Sequence, residues 1–222
     1  MKIMKQLSGR GLFLPAIALC SLLAVAGPSE ASLVTFSFDG SIGEVGGVLF
    51  PTLGTGSMSG TVTFDSATDP VVPGTGIYLN SITALNLNVN GRPFSYAPGA
   101  NGIVIMNSPP MGGSDSVTAF SSVTGMAING VIPTSFQVSL SDPSGRVFSD
   151  LSLTTTPPSL NSFARNQWRL NFSGVGNYVV GSLAHLTAVP LPAAVLLFGA
   201  GLISLVGLGA GGLRNLRRPH QA

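Results

Sequence analysis

The sequence contains a single cysteine, Cys20, so no disulfide can form within the chain. Charged residues are also scarce, since Asp, Glu, Lys and Arg make up 8% of its 222 residues. No lysine occurs between Ser32 and Pro192, where four arginines stand against seven acidic residues, a net charge of −3. This stretch therefore lacks the basic surface that nucleic-acid binding requires, and its stability must come from a packed core.

The first thirty-one residues have the pattern of a secretory signal peptide. Residues 12–26 form an apolar run of secretory length, and small residues precede a predicted cleavage between Ala31 and Ser32. The alternative, an uncleaved membrane helix, is disfavoured because the run is short and contains Pro15. We therefore expect the Sec translocon and signal peptidase to act on residues 1–31. The basic residues before the apolar run are Lys2, Lys5 and Arg10.

A second apolar run, residues 193–213, contains no charged residue. As a helix it would be about 31 Å long, which is enough to cross the hydrocarbon core of a bilayer. Arginines after the run favour a cytoplasmic position for the C-terminal side of the helix. We therefore expect the domain that precedes the run to lie on the other side of the membrane, outside the cytoplasm. The spacing fits both an ordinary stop-transfer anchor and a processed sorting signal. The run is preceded by Val189, Pro190, Leu191 and Pro192 and followed by Arg214, Arg217 and Arg218.

Residues 189–218 resemble the PEP-CTERM sorting signal of Gram-negative bacteria, in its Val-Pro-Leu-Pro variant. The resemblance rests on the order of proline motif, glycine-rich apolar run and arginine cluster, with Leu191 where the commonest form has Glu. It implies an inner-membrane precursor with a periplasmic domain, processed by an exosortase, a membrane-embedded cysteine protease-transpeptidase. It also implies a final location at the cell surface or in the matrix, in association with exopolysaccharide and biofilm. A sorting signal is an address, so it implies nothing about the chemistry of the domain.

The exported part, residues 32–188, has the pattern of one all-β domain. Many short strands separated by clusters of Gly, Pro, Asn and Asp, without long helices, predict an antiparallel β-sandwich or a jelly-roll-like barrel. Only residues 159–165 suggest a short helix, with Ser159 as its cap. Alternation of apolar and polar residues predicts strands at residues 58–64, 85–89, 136–140 and 168–172. Further strands are predicted at residues 33–38, 102–106, 116–120, 147–153 and 178–186.

The domain offers few residues for catalysis. His185 is its one histidine, so a Ser-His-Asp triad has a single possible base, and neither a Gly-x-Ser-x-Gly elbow nor a zinc ligand set accompanies it. Asp65 and Asp69 are candidates for a paired-acid glycosidase or a calcium site, but both also suit turns. Asp39 and Asp115 fit a solvated surface. We therefore expect no catalytic residue, no metal and no cofactor.

Trp168 is the only tryptophan, and Arg169 follows it. An exposed aromatic ring beside an arginine can stack on a sugar, so these two residues are the candidate carbohydrate contacts. Alternation with Leu170 and Phe172 instead places Trp168 on the buried face of its strand. The favoured function is a non-enzymatic surface or matrix protein. The alternatives are a carbohydrate-binding module, or a glycoside hydrolase using Asp65, tethered in the periplasm by an uncleaved C-terminal helix.

Overall fold

A computed structural model of the chain describes residues 33–50, 52–108 and 113–190. The predicted signal peptide and the apolar run at residues 193–213 lie outside these ranges. No helix of the described part is long and apolar enough to cross a membrane. Two single-turn 3-10 helices, Gly47–Leu49 and Leu160–Ser162, accompany the strands. The strands are β1 (Leu33–Val45), β2 (Ser57–Asp65), β3 (Ile77–Leu79), β4 (Ile82–Val89), β5 (Arg92–Met106), β6 (Asp115–Gly125), β7 (Pro133–Asp142), β8 (Arg165–Phe172) and β9 (Tyr178–Ala188).

Eight of these strands close into one antiparallel barrel. Their order around the barrel is β1-β2-β4-β5-β6-β7-β8-β9, and β9 pairs with β1 to complete the circle. The short β3 pairs with the second half of β5, beyond the residues that pair with β4. The all-β prediction is confirmed. The strands form a single closed sheet, in which every barrel strand is hydrogen-bonded to both of its neighbours, and not the two facing sheets of a sandwich.

Two Asn-Gly turns, both within the clusters of turn residues that separate the strands, set the register of hairpins. Asn90 and Gly91 join β4 to β5, and Asn129 and Gly130 lie between β6 and β7. Their φ angles are 51° and 80° in the first turn and 50° and 83° in the second. Positive φ at both central residues is the conformation of a type I′ turn, whose twist matches that of paired strands. Both Asn-Gly pairs therefore form turns between strands, as expected for clusters of these residue types.

The long connection between β7 and β8, residues 143–164, differs from the prediction and is called the cap segment below. Residues 147–153, expected as a strand, lie outside the sheet because part of their backbone bonds to a side chain, as described below. The helix expected at residues 159–165 is a single turn, Leu160–Ser162, since β8 already begins at Arg165. Ser159 makes no side-chain capping bond to it.

The barrel interior has two ends of different character. One end, called the packed end, contains the β1–β2, β4–β5, β6–β7 and β8–β9 connections; the other, called the cavity end, contains the cap segment. The packed end is filled by large side chains that have less than 2% of their surface exposed. These are Trp168, Leu49, Leu53, Met58, Leu170, Val89 and Val179.

A glycine makes room for the tryptophan at the packed end. A Cβ on Gly181 would lie 2.7 Å from two atoms of the Trp168 ring and would overlap the carbonyl oxygen of Ser41. The indole therefore packs directly against the backbone of β9. Its other neighbour is Phe136, whose ring centroid is 6.4 Å away at an interplanar angle of 30°. This close packing leaves the indole Nε1 buried without a hydrogen-bond partner.

Candidate functional site

A cavity of about 90 Å³ lies inside the barrel at the cavity end. Its wall is built by β1, β2, β4, β5, β6, β7 and β9 and by four residues of the cap segment. Each strand contributes inward-facing residues, because the period-two alternation that defines the strands sends every second side chain into the barrel. The wall is almost entirely hydrocarbon. Its aromatic members include Phe36, Phe38, Phe64, Phe136 and Phe148.

Two hydroxyl side chains also line the cavity, and each is already hydrogen-bonded. The Ser121 hydroxyl donates to the carbonyl oxygen of Ser122 at 3.0 Å. The Thr154 hydroxyl donates to the carbonyl oxygen of Thr156 at 2.6 Å and accepts from its backbone N–H at 3.1 Å. A polar group placed inside the cavity would therefore lose its hydrogen bonds to water without gaining these in return. The cavity suits an apolar occupant.

A buried carboxylate holds the cap segment against the barrel. Asp115, at the start of β6, has no exposed surface. One of its oxygens accepts from the backbone N–H groups of Val147 at 2.6 Å and Phe148 at 2.8 Å, and the other accepts from Ser108 at 3.1 Å. Burial alone would raise the pKa of Asp115, but these three donors outweigh it and hold the pKa below its ordinary value. Asp115 stays ionised at neutral pH and fixes residues 147 and 148 in place.

Sequence reasoning placed Asp115 on a solvated surface, and that expectation is wrong. Two of its three donors belong to residues 32 and 33 positions away in the chain. The residues around Asp115 resemble those of any turn acid, because the donors that define its role come from distant backbone. No local pattern marks such a residue.

A second anchor holds the cap segment from the short strand β3. The Tyr78 hydroxyl donates to the carbonyl oxygen of Leu151 at 2.7 Å. Burial, followed by the nearby Asp150 carboxylate, raises the pKa of Tyr78, so the hydroxyl stays protonated and donates throughout the neutral range. Together with Asp115, Tyr78 closes the cavity end with hydrogen bonds from two different strands.

The two predicted carbohydrate contacts lie on opposite sides of the barrel wall. Trp168 has no exposed surface, as its alternation with apolar residues predicts, and a sugar has no access to its indole in this conformation. Arg169 lies on the outer face, where its guanidinium is 4.2 Å from the ring centroid of Tyr178. Its Nε donates to the side-chain oxygen of Asn171 at 2.7 Å. These two residues therefore do not form one binding surface.

A polar groove opens on the outer face where β8 and β9 separate. The two strands pair only between Trp168–Asn171 and Tyr178–Gly181, so they diverge towards the cavity end. The groove has a volume of about 770 Å³. The Arg165 guanidinium in it makes no hydrogen bond or ion pair with any residue that the structure describes. The polar side chains that line the groove are Glu44, Ser139, Ser141, Arg165, Asn166, Gln167 and Ser182.

The Glu44 carboxylate in this groove is held in position by Tyr178 of β9. The Tyr178 hydroxyl donates to Glu44, and this hydrogen bond, with the charge of Glu44, raises the pKa of Tyr178. Arg169, stacked on the same ring, acts in the opposite direction on that pKa. Glu44 therefore lines the groove with its carboxylate held by Tyr178, and Arg165 lines the same groove.

His185 is hydrogen-bonded to Asp39 at the exposed outer face of the barrel. Its Nδ1 is 3.0 Å from both carboxylate oxygens of Asp39, its cross-strand neighbour on β1. The two side chains have 73% and 48% of their surface exposed. Within the described ranges, no hydroxyl bonds to the Nε2 of His185, so the nucleophile that a triad needs does not accompany this pair.

Asp65, one of the two acids proposed for a glycosidase or calcium site, takes part in a turn. Asp65 accepts from the backbone N–H of Ala67 at 2.9 Å, which is the hydrogen bond of an Asx turn. Over residues 33–50, 52–108 and 113–190, no three Asp, Glu or His side chains lie close enough together to hold a metal ion. The turn interpretation of Asp65 therefore agrees with its observed bonding.

Only the beginning of the predicted sorting motif falls within the described residues. The backbone N–H of Val189 donates to Thr35 at 2.8 Å, so β9 remains attached to β1 up to the first residue of the motif. Pro190 is the last described residue of the chain. The remaining sites expected from the sequence lie outside the described part: the cleavage residues Ala31 and Ser32, motif residues Leu191 and Pro192, and the arginines Arg214, Arg217 and Arg218.

The interpretation of both sites rests on their geometry. No family model matches the chain, and no curated protein or solved structure is significantly similar to it.

Proposed function

We propose that the protein is an exported, non-enzymatic barrel of the bacterial surface or extracellular matrix that associates with exopolysaccharide. Residues 1–31 direct export through the Sec translocon and are removed by signal peptidase. Residues 193–213 then hold the precursor in the inner membrane, with the barrel in the periplasm. An exosortase-like enzyme processes the chain at residues 189–192, after which the barrel reaches the surface or matrix.

The observation that carries the proposal is the chemistry of the outer face of the barrel. Outward positions on its strands hold mainly hydroxyl and amide side chains, which both donate and accept hydrogen bonds. Sugar hydroxyls offer the same two functions, so a neutral surface of this kind exchanges bonds with water and polysaccharide alike. Typical outward residues are Ser37, Thr61, Asn86, Ser139 and Gln167.

The groove between β8 and β9 is the strongest candidate for a defined polysaccharide contact. Its volume of about 770 Å³ falls within the range of roughly 300–1,000 Å³ typical of ligand sites. Arg165 supplies donors and Glu44 a fixed acceptor, a combination that suits the vicinal hydroxyls of a sugar. The Asx turn at Asp65 gives that carboxylate a structural role, which favours binding over hydrolysis by Asp65.

The test combines maturation with binding. The protein is recovered from its host, its intact mass and cell fraction are recorded, and its retention on the host exopolysaccharide is measured. We expect a chain that begins at Ser32, ends near Pro192 and comes from the surface or matrix. We further expect Arg165→Ala to weaken retention about tenfold, the effect of one charged hydrogen bond, while Arg92→Ala at the β4–β5 hairpin leaves it unchanged.

The outcomes separate the alternatives. A chain that still ends at Ala222 in the inner membrane, but binds polysaccharide through Arg165, would be a tethered carbohydrate-binding module. Shortening of the polysaccharide by the wild-type protein would instead indicate a glycoside hydrolase. A matured protein that does not bind the polysaccharide would contradict the proposal.

A further inference from the structure

We propose that the interior cavity binds the unbranched aliphatic chain of a small amphiphile, with the polar group of that molecule left outside near Thr154. This is a binding activity separate from polysaccharide contact on the outer face. It rests on the lining, size and position of the cavity, taken in turn.

The lining selects hydrocarbon. The cavity is bounded by aliphatic and aromatic side chains, and its two hydroxyls, on Ser121 and Thr154, are engaged with backbone groups. An empty apolar space deprives the atoms around it of dispersion contacts, and water gains too few hydrogen bonds there to fill it. An aliphatic chain restores those contacts and requires no polar partner inside the barrel.

The volume of the cavity limits how much of an occupant it can enclose. An apolar cavity of about 150 Å³ accepts benzene, whereas this one has a volume of about 90 Å³. A whole six-membered ring is therefore too large for the unaltered cavity, whereas a few methylene groups of a longer chain fit its volume. A chain that enters end-on places only those groups inside.

The exit for the polar group is the cap segment. Thr154 lines the cavity and is also exposed, so the cavity reaches the solvent beside it. Phe148 and Leu153 of the same segment also line the cavity and are apolar. A chain that enters past Thr154 buries its methylene groups and leaves its head in water.

The position of the cavity fits an amphiphile from a membrane. β9 ends at the cavity end of the barrel, and the apolar run begins in the sequence at residue 193, soon after Ala188. If the run is embedded as the proposed function requires, the cavity end is the part of the barrel nearest the lipid. This last step rests on the proposed function, whereas the lining and the size do not.

The test uses the matured protein recovered from its host without detergent, or the full chain if it is not processed. The probes are 1-hexanol and cyclohexanol, which have six carbons and one hydroxyl each and differ in shape. Binding is followed by titration calorimetry and by Trp168 fluorescence, since Phe136 both lines the cavity and stacks on Trp168. We expect 1-hexanol to bind at least tenfold more tightly than cyclohexanol and to shift the emission of Trp168.

Two variants locate the binding. Ala119→Leu adds three carbons to the cavity wall and should abolish 1-hexanol binding, while Thr124→Leu, on the exposed side of the same strand, should leave it intact. Leu140→Ala enlarges the cavity and should allow cyclohexanol to bind, which keeps the test decisive if Ala119→Leu does not fold. Equal binding of the two alcohols, no binding of either, or binding that none of the cavity variants changes would overturn the proposal. Because maturation and polysaccharide retention are measured separately, these results are independent of the fate of the proposed function.

Discussion

The two ends of the barrel are packed differently although the same strands build both. At the packed end, the Trp168 side chain rests on the backbone of its cross-strand partner Gly181. At the cavity end, the inward position on β6 is occupied by Ala119, and a space of about 90 Å³ remains. An eight-stranded barrel is just wide enough for side chains to fill it or to hold one small ligand. The comparison shows that one barrel can do both, according to the sizes of the side chains at each end.

The largest expected difference between the ends is in the response to losing a leucine. Leu170 is fully buried at the packed end, whereas Leu183 lines the cavity. We expect Leu170→Ala to lower the free energy of unfolding by about 4–5 kcal/mol and Leu183→Ala by about 3 kcal/mol, because a side chain beside a void has fewer contacts to lose. Urea unfolding of the two variants measures both values. Equal losses would mean that the cavity end is as tightly packed as the other.

The next prediction tests the close approach of Trp168 to β9. Gly181→Ala places a methyl group against the indole and the Ser41 carbonyl, so the strand or the ring must move. We expect Gly181→Ala to lower the free energy of unfolding by about 3 kcal/mol, which is in the upper part of the usual range for overpacking. Gly43→Ala is the matched control, because its nearest contact would be 3.6 Å, an ordinary van der Waals distance. If Gly181→Ala leaves the free energy of unfolding unchanged, the packed end has room for an extra methyl group.

Much of the fold follows from the sequence because strand formation depends on local alternation. The segments at residues 58–64, 85–89, 136–140 and 168–172 all lie within strands, and the two Asn-Gly turns adopt the conformation that their residues favour. Closure into a barrel does not follow, since it depends on β9 pairing with β1, more than 130 residues earlier in the chain. Alternation is the same in a sandwich and in a barrel.

The candidate sites were less accessible to sequence reasoning. Burial of Trp168 could be predicted from its alternation with Leu170 and Phe172. The role of Asp115 could not, because its donors are distant backbone groups. The cavity has no sequence signal either, since it arises from the combined sizes of side chains on seven strands and the cap segment.

The smallest predicted effect concerns how the cavity end is closed. The pKa of Asp115 is lower in the folded protein than in the unfolded chain, so ionised Asp115 stabilises the folded state. This contribution to the free energy of unfolding is fully present above the unfolded pKa of about 3.9, and it is lost as the pH falls through the folded pKa. Asp115→Asn removes the charge and turns an amide donor towards one or more N–H groups. We expect it to lower the free energy of unfolding at pH 7 by about 2 kcal/mol.

The pH dependence distinguishes this role from a simple loss of packing. In the wild-type protein, urea unfolding should show stability falling below about pH 4, and in Asp115→Asn that part of the decrease should be absent. Asp142→Asn is the control for loss of a carboxylate beside Asp115, since Asp142 is the cross-strand partner of Asp115 and its side chain accepts from the Ser144 hydroxyl, not from the cap segment backbone at residues 147 and 148. Amide exchange at residues 147 and 148 should accelerate in Asp115→Asn alone. If exchange there is unchanged, the cap segment is held by its apolar contacts and the two ends of the barrel close in the same way.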